Sequence, residues 1–219
     1  MSSPVAGNVC GLDRFRSLWQ RCLVDGAADD SIAIHQQLVE GYGEPQRHYH
    51  TLAHIAHCLT QFDQCKSLTP NPDALEIAIW FHDIIFKPGG PDNESLSASL
   101  YQYLSAGIHD NEMRQLIDRM IMATLHDGRS LGDADTSYMV DIDLSSFGLD
   151  WDAFVLDSQH LREENPHLSD TDYYRKLVEF HSGLLARPRF FLSDFFFQRY
   201  EQKARANVSR YLDQVRALT

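Results

Sequence analysis

A chain of 219 residues, 43% hydrophobic and 23% charged, has the composition of a soluble globular protein and can bury a core without disulfide or metal staples. Its formal net charge of −12 argues against a nucleic-acid polymer as partner, although small anionic metabolites stay open because a bound cation inverts the local field. No apolar run is long enough to span a bilayer, and Cys10, Cys22, Cys58 and Cys65 form no Cys-x-x-Cys pair, so free thiols in a cytoplasmic protein are expected.

The predicted elements are helical nearly throughout. Phe15, Leu18, Trp19, Cys22 and Leu23 recur at one-sided helical spacing over 13–24. Asp30 or Ser31 is placed to cap a second helix, which runs to the breaker Gly41-Tyr42-Gly43-Glu44-Pro45. A third helix is expected over 48–66. A fourth is expected over 73–86, bounded by Pro70-Asn71-Pro72 and Gly89-Gly90-Pro91. Further helices are expected at 93–106, 110–126, 136–147, 151–164, 169–187 and 193–217. Alternating strand patterns are almost absent. The reading is a single all-α domain over 1–219, with a core at about 45–150 and added helices at about 151–219.

Five of the eleven histidines fall between residues 48 and 82. On a helix from 48 to 66 with His50 as zero, His54, His57 and Gln61 lie within about 40° of it. Leu52, Ile55, Leu59 and Phe62 take the opposite face. A metal-facing histidine row and a solvated one both fit that pattern. The helix at 73–86 is apolar almost all round, so it is expected to be central, and His82 and Asp83 interrupt it. Such groups are costly to bury unless paired or coordinated. A divalent metal accounts for them, as does a purely structural His–carboxylate bond. Asp141 and Asp143 sit in a third apolar run, about 200° apart on a helix, so only one reaches a shared centre.

The pattern of a His, a His-Asp doublet and a distant Asp on a helical core resembles the HD superfamily of metal-dependent phosphohydrolases. More narrowly, the chain is similar to a bacterial group of predicted HD-type phosphohydrolases. The shared stretches are Glu44-Pro45-x-Arg47-x-Tyr49-His50, Leu52-x-His54-Ile55, Phe81-His82-Asp83-Ile84, Asp92-Asn93-Glu94-x-Leu96-Ser97-Ala98, Ala123-Thr124-x-His126, Asp141-Ile142-Asp143-Leu144 and Ala204-Arg205-x-Asn207. The resemblance implies an HD-domain helical bundle with extra terminal helices. It also implies His54, His82, Asp83 and Asp143 as metal ligands, with Asp143 preferred over Asp141. His50 matches a proton-donating histidine of related cyclic-nucleotide phosphodiesterases, although Thr51 stands where Asn is common.

The implied cofactor is a divalent metal ion (Mg, Mn, Ni, Zn or Fe) that lowers the pKa of bound water and polarises a phosphoryl oxygen. Asp83, Glu94 and His50 are the expected catalytic groups. Glu94 takes the water's proton in that scheme, or simply favours a helix N-terminus. Arg47, Lys87, His126 and Arg129 are the expected substrate contacts, with Arg175 and Lys176 as further cations. The expected partner is a small phosphorylated metabolite, nucleotides among them. The Phe190-Phe191-Leu192 and Phe195-Phe196-Phe197 clusters fit core or a homodimer contact. Two other readings stay open. One is a di-iron oxygenase using His57 or His126 as extra ligands, and the other is a non-catalytic metal- or nucleotide-binding module.

Overall fold

Residues 9–127 and 133–216 are described by a computed structural model, and they run through ten α-helices with no strand. In chain order these are α1 (Leu12–Arg21), α2 (Ser31–Tyr42), α3 (Leu52–Cys65), α4 (Pro72–Phe81), α5 (Asn93–Leu104), α6 (Asn111–Ala123), α7 (Ala134–Asp143), α8 (Trp151–Glu163), α9 (Asp170–Ala186) and α10 (Asp194–Arg216). Arg129 lies outside the described residues. The all-α expectation holds, and every expected helix is present. All four cysteines are free thiols, and no described helix is long and apolar enough to cross a membrane.

α4 forms the centre because its sequence leaves it no wet face. Leu75, Ile77, Ala78, Ile79, Trp80 and Phe81 are all fully buried. Each large side chain buried this way contributes roughly 1.5–3 kcal/mol. Its one buried acid, Glu76, lies against Arg14, whose Nε donates at 2.6 Å. α1, α3, α6 and α7 pack around α4. Phe15 and Trp19 stack at 5.6 Å on the α1 side.

Three helix boundaries differ from the sequence expectation by four residues or more. α3 begins at Leu52 rather than 48, because Thr51 caps it through the Ala53 amide. The preceding amides of His48, Tyr49 and His50 all point at one carboxylate oxygen of Glu164. α4 ends at Phe81 rather than Phe86. The guanidinium of buried Arg47 takes the carbonyls of Asp83 and Ile84, each at 2.7 Å, and the Ile85 amide goes to Ser97 Oγ. With those groups diverted, the i→i−4 ladder cannot continue. α7 tightens after Asp143 into a 3₁₀ turn over Leu144–Gly148.

The C-terminal helices are tied to that turn. Asn207 Nδ2 donates to the carbonyls of Phe147 and Leu149, both at 2.9 Å. A Cβ on Gly148 would sit 2.7 Å from the Cβ of Tyr200, so α10 lies against bare backbone. Phe190, Phe191 and Phe196 are fully buried core, whereas Phe197 is 36% exposed beneath the Arg189 guanidinium.

Candidate metal centre

The ends of α3, α4 and α7 converge on one point. His54 projects from the first turn of α3, His82 and Asp83 follow α4, and Asp143 closes α7. One donor atom from each of the four lies within 4.8 Å of every other. His54 Nε2 is 3.2 Å from His82 Nε2, 3.4 Å from Asp83 Oδ2 and 3.3 Å from Asp143 Oδ1. His82 Nε2 is 2.9 Å from Asp83 Oδ2 and 3.5 Å from Asp143 Oδ1.

This donor set fits a divalent ion. His82 Nδ1 donates to the Ile79 carbonyl at 2.9 Å, which leaves its Nε2 lone pair aimed into the cluster. Two inward imidazole nitrogens and two carboxylate oxygens repel unless a cation or protons lie between them. The charges respond accordingly. Burial opposes a protonated His82, but Asp83 and Asp143 outweigh it and hold the imidazole well above its usual range. Burial would also raise the carboxyls, yet His82 and His50 hold Asp83 well below its range. Bonds from His126, His54 and His82 do the same for Asp143. A divalent ion satisfies the same carboxylates with both imidazoles neutral.

The structure separates Asp143 from Asp141. Asp141 is fully buried on the opposite side of α7, where it accepts from the amides of Leu192 and Ser193 and from Ser193 Oγ. It anchors the segment leading into α10.

His50 lies in the turn before α3, not on the helix, so the expected four-member helical row does not exist. Its imidazole still reaches the cluster, with Nε2 4.0 Å from Asp83 Oδ2. Phe86 stacks on it at 4.7 Å between ring centroids. His50 Nδ1 meets Glu164 Oε2 at 2.6 Å. Glu164 is a functional residue that the sequence did not reveal. It follows α8, is 1% exposed, and holds the whole 48–50 turn.

Glu94 opens α5 and is half-buried. Burial raises its carboxyl, and the charges of Asp83 and Asp143 add to that shift. His57 sits apart from the cluster, its Nε2 2.8 Å from Ser145 Oγ, and burial lowers it to about 4. Lys87 is exposed, and its backbone is latched to the Asn93 side chain.

Two expected substrate contacts have their polar groups engaged within the protein. Arg47 is enclosed, with Nη1 also donating to the His50 carbonyl at 3.1 Å and Nε to Glu44 at 3.1 Å. Its donors are spent on the backbone that carries His50 and Asp83. His126 also faces inward, with Nε2 2.8 Å from Asp143 Oδ2. That bond engages Nε2, and Nδ1 is buried without a partner. Arg175 pairs with Asp172 on its own helix. Family models, curated proteins and solved structures yield no match to this chain, so the centre is interpreted from its own donors.

Proposed function

We propose that the chain is a metal-dependent phosphohydrolase with an HD-type helical core, acting on a small phosphorylated metabolite, nucleotides among them. The observation that carries this reading is a cluster of two imidazoles and two carboxylates with a further histidine, His50, set at its edge. His54, His82, Asp83 and Asp143 would hold the ion. A divalent ion so held supplies a Lewis acid for a phosphoryl oxygen and a more acidic water.

The chain's own groups divide the remaining work. Glu164 accepts from Nδ1 of His50, which fixes the tautomer and directs Nε2 toward the cluster. In its doubly protonated form His50 is thereby placed to hand the Nε2 proton to a leaving oxygen, returning to the Nδ1–H tautomer. Glu94 has a raised carboxyl at the cluster's border and is the group placed to take a proton from the attacking water. His126 keeps Asp143 oriented. Arg47 fixes the backbone of His50 and Asp83 relative to each other.

The test is phosphate release from a panel of nucleotides and sugar phosphates by protein loaded separately with Mg, Mn, Ni, Zn and Fe. Release by the wild type, lost in Asp83→Ala and in the milder His50→Asn with helical content intact, is expected. Full activity in purified Asp83→Ala would sink the assignment. Oxygen consumption by an iron-loaded protein that releases no phosphate would instead establish the oxygenase reading.

A further inference from the structure

Arg187, at the end of α9, holds the backbone of the residue whose imidazole touches Asp143. Its Nη2 donates to the His126 carbonyl at 2.9 Å, while the His126 imidazole reaches Asp143 Oδ2. His126 is the one non-glycine with positive φ among the described residues, at 52°. Arg187 thus supports the backbone conformation that aims this imidazole inward.

Three further observations point past a backbone clamp. Arg187 is half-buried in a protein of net charge −12, yet no carboxylate among the described residues pairs with it. Burial alone lowers its pKa, with no neighbouring acid offsetting the loss of water. Its other guanidinium donors meet no acceptor among the described residues. The turn bearing it is also braced from below. Arg205 donates to the carbonyls of Leu185 and Arg187, each at 2.8 Å, and Arg205 is itself bonded to Glu201. Glu201 in turn accepts from the amides of Phe190 and Phe191. Arg205 and Asn207, from the terminal motif, therefore fix two segments beside the centre: the Arg187 turn and the 3₁₀ turn after Asp143.

We infer that Arg187 is an anion-recognition residue of the proposed phosphohydrolase site, its unspent N–H groups taking a phosphoryl oxygen of the substrate. The chemistry suits it, since a guanidinium presents a planar fork to a phosphate and is weakly hydrated enough to sit half-buried. The inference rests on the phosphohydrolase reading for the identity of the anion, but not on turnover.

The test uses the metal-loaded full chain and inorganic phosphate as probe, with affinity read by titration calorimetry. One charge-assisted contact corresponds to about a 10- to 100-fold loss of phosphate affinity in Arg187→Gln. Arg187→Lys should lie between that variant and the wild type, because it keeps the charge but loses the fork. Metal content by elemental analysis should stay the same in all three. A second measurement needs no variant: saturating phosphate should slow modification of Arg187 by an arginine-directed dicarbonyl, mapped by mass spectrometry. Unchanged phosphate affinity in Arg187→Gln, unshielded Arg187, or a wild type that binds no phosphate would each overturn the inference. If Arg187→Gln loses phosphate while the wild type hydrolyses nothing on the panel, Arg187 keeps its role and the hydrolase reading alone fails. If the wild type hydrolyses phosphoesters and Arg187→Gln binds phosphate normally, the reverse holds.

Discussion

Glu164 and His50 are joined by a 2.6 Å bond between Oε2 and Nδ1, although 114 residues separate them in the chain. The other oxygen of the same carboxylate gathers three consecutive amides at 2.8 to 2.9 Å. Burial would raise this carboxyl, but the His50 bond and the amides lower it, so it is a buried anion held by four donors. It is fully engaged in holding the 48–50 turn and the His50 imidazole in place.

Glu164→Gln can serve the amides with its carbonyl only by turning its NH₂ toward Nδ1 of His50. The imidazole must then change tautomer or swing away. We expect kcat to fall about 10- to 100-fold with KM little changed, the range for loss of a partner that orients a working side chain. Glu164→Ala strands the donors entirely and should cost on the order of 3–5 kcal/mol in urea unfolding. Wild-type kcat in Glu164→Gln would remove the positioning role.

The two aspartates in the last turn of α7, Asp141 and Asp143, should separate cleanly. Asp143→Asn should abolish metal retention through dialysis, read as metal per chain, with the fold preserved. Asp141→Asn should retain metal and lose stability, about 2–3 kcal/mol, because the amide turns a donor toward Leu192, Ser193 or the Ser193 hydroxyl. Equal metal loss in both would mean that α7 presents its carboxylates differently.

Much of this was legible in the sequence, for identifiable reasons. The helices were, because apolar spacing and Gly/Pro breakers act locally. His82 and Asp83 were, because ionisable residues inside an apolar run stand out, whereas His54 and the choice of Asp143 over Asp141 came from the family resemblance. The helix ends at 48 and 86 were not, because Arg47 and Glu164 decide them through contacts distant in the chain. The internal role of Arg47 was hidden for the same reason. A cation in a His-rich stretch invites a phosphate, and only the fold shows it spent on carbonyls. Glu164 follows Glu163 at the end of an ordinary amphipathic helix, and nothing local distinguishes the two.

Gly148 carries a packing prediction. A Cβ there meets Tyr200 Cβ at 2.7 Å and its ring at 2.7 to 2.8 Å, so the contact lies at the stem of the side chain. Rotation of Tyr200 cannot relieve it. Gly148→Ala should therefore push α10 from the 3₁₀ turn, costing about 1–3 kcal/mol as overpacking does. Because Asn207 ties that turn, metal affinity should weaken too. A variant as stable as the wild type would show that α10 does not approach this closely.

His181 supplies a pH prediction away from the metal centre. It is 6% exposed among Phe147, Phe180 and Tyr211, and its Nδ1 has no partner. Burial lowers its pKa to about 4 from an ordinary 6.5. The folded state therefore binds fewer protons than the unfolded chain between these values. Stability from the neutral imidazole is present above pH 6.5 and is lost as pH falls toward 4, by on the order of 3 kcal/mol over the window. His109, also lowered to about 4 by burial, titrates in parallel. The comparison must therefore be with His181→Phe, which keeps an aromatic ring and removes the proton site. Urea midpoints measured from pH 7.5 to 4.5 should fall more steeply in the wild type than in His181→Phe. Parallel curves would mean that the folded protein accepts a charged His181.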